Sequence, residues 1–198
     1  MAILIESTLL LFLIIDPFGN LPIVLAIIGD TPPSRYRYII LRETSIALSI
    51  LALFALAGEQ LLSYLDIEQP IISVAGGVIL FMISLMMIFR SAADIFNDSY
   101  RNDSFMVSIA VPSLAGPSAI TAVMILRVND RSSLETLLAS LCIVMLLTAA
   151  VFLLGRRISV FLGLRGLRAL EKLMGLLLNL VAVNMVLVGV RKFMVTCT

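Results

Sequence analysis

The chain has 198 residues, of which 61% are hydrophobic and only 14% are charged. A soluble domain carries roughly 25% charged residues, so this chain lacks the polar surface that water requires. The net charge of +1 implies no bulk attraction to nucleic acid. Histidine is absent, which removes the usual residue of zinc hydrolysis and of Ser-His catalysis. We therefore expect an integral membrane protein without a resident metal or cofactor.

Six segments are long and apolar enough to cross a membrane, because a hydrocarbon core of about 30 Å needs about 20 apolar residues. In chain order they are Ile3–Ile28, Tyr38–Gly58, Pro70–Phe89, Phe105–Leu126, Leu134–Gly155 and Leu170–Val190. Uninterrupted runs of this length exclude the alternating strands of a barrel. The sequence therefore predicts an all-α, polytopic membrane protein with six transmembrane helices.

The Lys and Arg residues are unevenly divided between the two sides that six crossings define. Four of them fall on the side that carries both termini. The ten on the opposite side are Arg35, Arg37, Arg42, Arg90, Arg101, Arg156, Arg157, Arg165, Arg168 and Lys172. The positive-inside rule places these ten in the cytoplasm and predicts that both termini lie outside it.

The two halves of the chain resemble each other. Pro17 and Pro22 in the first span correspond to Pro112 and Pro117 in the fourth, since 112 − 17 and 117 − 22 are both 95. A unit of three helices inserts its second copy in the opposite orientation, which is the inverted-repeat plan of many secondary transporters. We predict one membrane domain, 1–198, with repeats over 1–92 and 104–198 and a loop over 93–103.

The first span contains the stretch Asp16 to Pro22 near its middle. A carboxylate at the bilayer centre costs roughly 2.5 kcal/mol or more unless it is neutral, paired or in contact with water. Proline removes a backbone donor and disfavours helix at the preceding residue, and Asp before Pro suits a helix N-terminus. We therefore predict a helix broken at the midplane, with a new half-helix after Asp16. The candidate substrate or ion-pathway residues here are Asp16, Pro17, Gly19, Asn20 and Pro22.

The fourth span repeats this pattern with three helix-breaking residues and three hydroxyl residues. The candidate pathway residues in it are Pro112, Ser113, Gly116, Pro117, Ser118 and Thr121. Irregular backbone inside a membrane is tolerated only where protein or a water-filled cavity covers it. We expect two breaks that face each other across a small polar chamber, with half-helix N-termini that favour an anionic group. The alternative is that the prolines merely kink two helices.

Polar residues elsewhere in the spans are weaker candidates. Glu43, one turn inside the second span, indicates the membrane interface rather than the pathway. Asn179 and Asn184 in the sixth span favour helix–helix hydrogen bonds over substrate contact. Glu171 and Lys172, at the start of that span, have the pattern of an interfacial pair.

Several stretches together carry a resemblance to a known family. They are Asp16 to Pro22, Arg42-Glu43, Ala75 to Phe81, Pro112-x-x-Ala115-Gly116-Pro117 and Ala169 to Gly175. Across essentially its whole length the chain resembles the MarC/SnatA family of bacterial and archaeal inner-membrane proteins. The resemblance implies a six-span protein of the LysE-like transporter superfamily, and one archaeal member is described as a transporter of glycine and alanine. Ser113 departs from the family pattern, in which an apolar residue is usual.

Two classes of function remain open. In the first, the protein is a secondary transporter of a small neutral amino acid or similar zwitterion. Gly19, Gly116 and free N–H groups would then hold the substrate carboxylate, and Asp16 would bind the amine or a coupling ion, H⁺ or Na⁺. In the second, it is a non-transporting scaffold or assembly factor, and export of another small metabolite is a further alternative. An enzyme is not expected, because the usual catalytic constellations are absent.

The expected partners follow from this interpretation. They are the lipid bilayer of the bacterial inner membrane and a small-molecule substrate, with no nucleic acid. Homo-oligomerisation is left open, because a chain of this size often dimerises in the membrane and no segment of the sequence marks an interface.

Overall fold

The structure is a computed structural model that describes residues 2–64, 66–89, 114–128 and 133–196. Within these ranges the chain forms only α-helices and their connections. The helices are α1 (Ala2–Ile15), α2 (Pro17–Ile28), α3 (Pro33–Tyr64), α4 (Gln69–Phe89), α5 (Pro117–Val128), α6 (Leu134–Leu153) and α7 (Gly155–Thr196). Pro112, Ser113 and the predicted loop 93–103 lie outside the described residues.

Five stretches of helix are long and apolar enough to cross a membrane. They are Ile3–Ile28, Pro33–Gly58, Gln69–Phe89, Leu134–Leu153 and Arg165–Val195. They correspond to five of the six predicted spans. The fourth predicted span is described only from Leu114 onward, where α5 is a shorter apolar helix. The all-helical, multi-pass architecture is confirmed, and the sixth crossing stays a prediction.

The last helix begins earlier than the predicted span Leu170–Val190. Its arginine-rich first part suggested a connection, but α7 starts at Gly155. Gly163 interrupts it with φ 64° and ψ 174°, a conformation that glycine adopts at little cost. Arginine side chains can reach the headgroups while their stems stay on the helix, so the charges did not require a loop.

The pair formed by α4 and α7 is the most extensive helix contact in the described part of the chain. The two helices are antiparallel. Ser73 Oγ donates to the carbonyl oxygen of Met185 at 2.9 Å, and Asn179 Nδ2 donates to Ser84 Oγ at 3.0 Å. The predicted role of Asn179 in helix–helix hydrogen bonding is therefore confirmed.

Glycines let the backbones of α4 and α7 approach closely. A Cβ on Gly77 would lie 2.9 Å from the carbonyl oxygen of Ala182. A Cβ on Gly189 would lie 2.9 Å from the carbonyl oxygen of Pro70. Small residues at helix contacts are the usual means of association in lipid, where no hydrophobic driving force acts between helices. Gly77 of α4 therefore serves helix packing.

The remaining helices surround this pair. The broken first span, α1 with α2, packs against α6 and α7, while α5 packs against α3 and α4. Leu11, Leu21, Leu51 and Leu141 are fully buried where these helices meet. The outward faces are apolar and exposed, as at Leu146 and Leu180, which suits contact with lipid tails.

Candidate functional site

The first membrane span is broken at a single residue, Asp16. Its φ of 45° and ψ of 68° place it in the left-handed region between α1 and α2. Asp is one of the few residues with a side chain that adopts this region with any frequency. Pro17 follows as the first residue of α2, where its missing N–H costs nothing. The predicted discontinuity is therefore present.

Side chains of the break replace the backbone hydrogen bonds that it removes. In a continuous helix the N–H of Gly19 would donate to the carbonyl of Ile15. Here it donates to Oδ1 of Asp16 at 3.0 Å, so Asp16 caps α2 as the sequence predicts. Asn20 Nδ2 donates to the carbonyl oxygens of Ile15 and Asp16 at 2.9 and 3.1 Å. The opened backbone is thus satisfied locally.

One carboxylate oxygen of Asp16 is left over. The residue is 3% exposed, and Oδ2 has no hydrogen-bond partner among the described residues. A Cβ on Gly19 would collide with this oxygen and with Met87 Cε, so Oδ2 points toward α4 and only glycine fits at position 19. An unpartnered carboxylate oxygen at this depth is costly. It marks a position where a cation or a hydrogen-bond donor would be stabilised.

Pro22 does not interrupt the helix. It lies inside α2, which continues to Ile28. Of the two prolines, only Pro17 therefore lies at the break, and a pathway role for Pro22 stays a prediction. A single proline removes one donor, and membrane helices tolerate the loss because small local adjustments satisfy the remaining carbonyl.

The second predicted break is described from residue 114 onward. Residues 114–116 precede the first turn of α5, are buried, and lead into Pro117. Ser118 is 5% exposed. Thr121 Oγ1 donates to the carbonyl oxygen of Pro117 at 2.6 Å, so this hydroxyl stabilises the first turn of α5.

Both breaks face α4. Thr121, one turn into α5, packs against Gly76, and Gly19, one turn into α2, packs against Met87. α5 runs antiparallel to α4, whereas α2 runs parallel to it. Along the chain direction of α4, residue 117 therefore lies beside a position after Gly76, and Asp16 lies beside a position before Met87. The two breaks share one stretch of α4, as a common chamber would require.

A second buried carboxyl group, that of Glu171 in α7, lies close enough to Asp16 for an electrostatic interaction. Glu171 is 1% exposed, whereas Lys172 is exposed. The expectation of an interfacial pair is therefore wrong. Glu171 lies one turn before Gly175, which contacts Met87, so both share the buried face. The sequence does contain a signal for the burial of Glu171. Small residues recur every seven positions from Gly175, and they define the buried face of α7.

Glu43 is also buried, with 3% exposure. Arg42 Nη2 lies 2.5 Å from Glu43 Oε1, while Oε2 has no hydrogen-bond partner among the described residues. Glu43 thus faces other helices rather than the surface, and its expected place at the membrane interface stays a prediction. α3 begins at Pro33, so Glu43 lies almost three turns inside it.

A cavity of about 190 Å³ lies between α1, α4, α5 and α7. Its polar lining residues are Glu6, Ser7, Ser73 and Asn184. Glu6 and Asn184 are exposed, so the cavity reaches the surface on the side of the N-terminus. Asn184 therefore lines a cavity, in contrast to the predicted helix–helix hydrogen bond. Within the described ranges, no group of three or more acidic, Cys or His residues is arranged to hold a metal ion.

The opposite end of the molecule is closed by contacts between its two halves. Tyr36 Oη donates to the carbonyl oxygen of Phe152 at 2.7 Å. The Arg156 guanidinium lies 4.2 Å from the centre of the Tyr36 ring and donates to the carbonyl oxygen of Thr31. We call Thr31, Tyr36, Phe152 and Arg156 the closing cluster. It lies on the arginine-rich side, so the described residues form a cavity at one end and join the two halves at the other.

Apolar spanning helices, a lipid-suited surface and buried carboxyl groups define a multi-pass helical membrane protein. Residues 1–194 match the model of the MarC family of integral membrane proteins. The chain therefore belongs to the MarC family, which the sequence motifs had indicated.

The relatives cover nearly the whole chain. The UPF0056 inner membrane protein YhgN of Escherichia coli (strain K12) is 38% identical over 200 residues, covering 96% of this chain and 98% of its own. A UPF0056 membrane protein of Buchnera aphidicola subsp. Baizongia pistaciae is 38% identical over 193 residues, covering 96% and 97%. The UPF0056 membrane protein MJ1677 of Methanocaldococcus jannaschii is 33% identical over 190 residues, covering 91% and 92%. No solved structure shows significant similarity to the chain. The protein is thus a multi-pass protein of the inner membrane.

Proposed function

We propose that the protein is a secondary transporter that carries a small neutral amino acid, or a similar small zwitterion, across the inner membrane. One observation carries the proposal: the buried carboxylate of Asp16, at a break in a membrane span, has an oxygen without a hydrogen-bond partner in the described part of the chain. A scaffold gains nothing from such a group, because no hydrogen bond among residues 2–64, 66–89, 114–128 and 133–196 offsets its cost. A transported ligand or ion would recover it during each cycle.

The proposal includes two inverted three-helix repeats, over 1–92 and 104–198. The contacts between helices support it, because they are reciprocal. The first span packs against α6 and α7, the second and third helices of the second half. In return α5, from the first span of that half, packs against α3 and α4. A two-fold axis in the membrane plane, between α4 and α7, would generate this pattern.

The geometry changes the assignment of substrate contacts that the sequence suggested. The N–H of Gly19 is already bonded to Asp16, so the substrate carboxylate is assigned to the other break. There Gly116 and Ser118 are buried on either side of the exposed Pro117, at the N-terminus of α5, whose dipole favours an anionic group. Asp16 Oδ2 is assigned to the amine of the substrate or to the coupling ion.

The energy source follows from what the sequence contains. No nucleotide-binding loop of the type G-x-x-x-x-G-K-[ST] occurs in it. We therefore assign the driving force to an ion gradient of H⁺ or Na⁺, with no resident cofactor and no catalytic reaction.

The test is counterflow of labelled alanine and glycine in proteoliposomes, with the wild type and the Asp16→Asn variant. Asparagine tolerates the left-handed region and its Oδ1 can still cap Gly19, so the break is retained while the charge is lost. We expect wild-type flux and at least a ten-fold lower rate in the variant. Asp66→Asn is the matched control, because Asp66 also has a positive φ, of 53°, but is exposed.

The outcomes separate the two classes of function. Equal flux in wild type and Asp16→Asn would remove Asp16 from the mechanism. Absence of flux from folded wild-type protein, over a panel of small zwitterions, would favour the scaffold instead. An equal loss in Asp16→Asn and Asp66→Asn would show that the effect is not specific to the break.

A further inference from the structure

The cavity between α1, α4, α5 and α7 has a distinct polar composition. Of its four polar lining residues, Glu6 has a carboxylate, which is an acceptor only when ionised, and Asn184 has an amide oxygen. Ser7 and Ser73 are 3% and 7% exposed, so their hydroxyls lie at its inner end. Neither Lys nor Arg is among the described residues that line it. Its chemistry therefore suits a hydrogen-bond donor with a positive charge.

Glu6 gives the cavity its charge. It lies in the second turn of α1, is exposed, and makes no hydrogen bond or ion pair within the described ranges. Its carboxylate can therefore meet a ligand without first losing a protein partner. An ammonium group would bind there by a charge-assisted hydrogen bond, and an extra negative charge would be repelled.

The position of the cavity connects it to the break. Ser7 lines the cavity and Asp16 ends the same helix, nine residues or about 14 Å further along. The four helices that line it are the first and third of each half of the chain. In transporters with repeats, the path of the substrate runs between the repeats.

The volume restricts what the cavity holds. Pockets for drug-sized ligands measure about 300–1,000 Å³, whereas this one measures about 190 Å³. A molecule with few non-hydrogen atoms fits, such as alanine or glycine.

We infer that this cavity is an outer binding site for the amino group of a small zwitterion, with Glu6 as its anionic contact and Ser7, Ser73 and Asn184 as its polar lining. The site is separate from Asp16 and precedes it on the path from the side of the termini. The inference rests on the proposed function for its ligand, and its tests measure binding separately from transport.

The first test measures whether the cavity is open to water and is occupied by the ligand. Val188 lines it, whereas the adjacent Leu187 is 64% exposed on the outer face of α7 and does not. Each is replaced by cysteine, in a protein whose Cys142 and Cys197 are serine. A charged, membrane-impermeant thiol reagent is expected to label Val188→Cys at least ten-fold faster than Leu187→Cys. Alanine is expected to slow only the first reaction.

The second test measures the contribution of Glu6. In the Val188→Cys background, Glu6→Gln is expected to raise the alanine concentration for half-protection at least five-fold, because a charge-assisted hydrogen bond is about twice as strong as a neutral one. Glu68→Gln and Glu135→Gln make the same charge change at exposed residues on the same side, outside the cavity. Both controls are expected to leave half-protection unchanged.

The results separate this inference from the proposed function. Protection by alanine that depends on Glu6 supports the site, whether or not flux is seen. Flux in the wild type without protection at Val188→Cys, or protection that Glu6→Gln does not weaken, overturns the site and leaves the transporter. Equal labelling of Val188→Cys and Leu187→Cys overturns it as well.

Discussion

Asn20 stabilises the break in the first membrane span. Its side-chain amide donates to the carbonyl oxygens of Ile15 and Asp16, and in the hydrocarbon region no water replaces a lost donor. The side chain of Asp16 thus accepts a hydrogen bond from a backbone N–H group, and the side chain of Asn20 donates to backbone carbonyl groups. A single left-handed residue can therefore be maintained inside a membrane span.

The Asn20→Ala variant tests this role. We expect its free energy of unfolding to fall by about 1–3 kcal/mol, the cost of leaving a buried polar group unsatisfied. The measurement is the denaturant-unfolding midpoint in detergent. Ser49→Ala, at an exposed hydroxyl that bonds only the preceding turn, is the control and should stay within about 0.5 kcal/mol of the wild type. An unchanged midpoint for Asn20→Ala would show that the break does not depend on this side chain.

Local sequence predicted the residues of the break well and the distant carboxyl groups poorly. Asp16, Pro17 and Gly19 interact within one turn, so the pattern D-P-x-G contains the geometry. Glu171 and Glu43 gain their burial from helices far away in the chain. Glu171 is next to Lys172 and Glu43 is next to Arg42, and these charged neighbours suggested the membrane interface. A charged neighbour in the sequence does not reveal which face of the helix a residue occupies.

At the scale of elements, α4 and α7 depend on a few glycines for their contact. A Cβ on Gly77 would lie 2.7 Å from Val186 Cγ2 and 2.9 Å from the carbonyl oxygen of Ala182. The carbonyl oxygen belongs to the backbone, which cannot avoid the clash by changing rotamer as a side chain can. A larger residue would therefore move the helices apart along much of their length.

The Gly77→Val variant is expected to lose about 1–3 kcal/mol or more of unfolding free energy through overpacking. Ala75→Val adds two methyl groups to an exposed position on the same helix and should have little effect. The thermal midpoints of both variants in detergent make the comparison. Similar midpoints would contradict the close approach of α4 and α7 at this position.

The lengths of the apolar segments predicted the positions of the helices, but they did not predict where α7 begins. The predicted spans 70–89 and 134–155 match α4 and α6 within two residues. For α7 the four arginines between 156 and 168 obscured the helical start, and its interruption at Gly163 had no signal in a helix that contains five glycines. Glycine marks a special backbone position only when its surroundings are known.

At the scale of the whole molecule, the two ends differ. The cavity reaches the surface beside Glu6, while the closing cluster joins the two halves at the arginine-rich end. For the proposed transporter, in the orientation that the positive-inside rule predicts, this corresponds to an outward-facing arrangement. The opposite arrangement would have to break the contacts of Tyr36 and Arg156.

Replacing Tyr36 by Phe tests the closing cluster. The variant keeps the ring under Arg156 and loses only the hydrogen bond to Phe152, worth about 1 kcal/mol. We expect the minor, opposite arrangement to become about five-fold more populated. A cysteine at Leu25, which packs near Gly155 beneath the cluster, should then react about five-fold faster with a reagent applied from the arginine-rich side.

Tyr38→Phe is the control for this measurement, because the Tyr38 side chain is 64% exposed on the same helix. It should leave the reactivity of the Leu25 cysteine unchanged. An unaltered rate in Tyr36→Phe would mean that the closing cluster does not hold this end shut.

The interlocked backbones of α4 and α7 also determine which parts of the molecule can move. Two helices slide past each other by repacking the side chains between them. At Gly77 and Gly189 the backbones of α4 and α7 are in direct contact and no side chain lies between them. The two helices therefore behave as one rigid body to which both halves contribute. Bending is left to the first span, whose halves are joined through one left-handed residue. In the proposed transporter, Asp16 would be both the pivot of this span and the group that binds the ligand or ion, so bending of the span and exchange of the ligand would occur together.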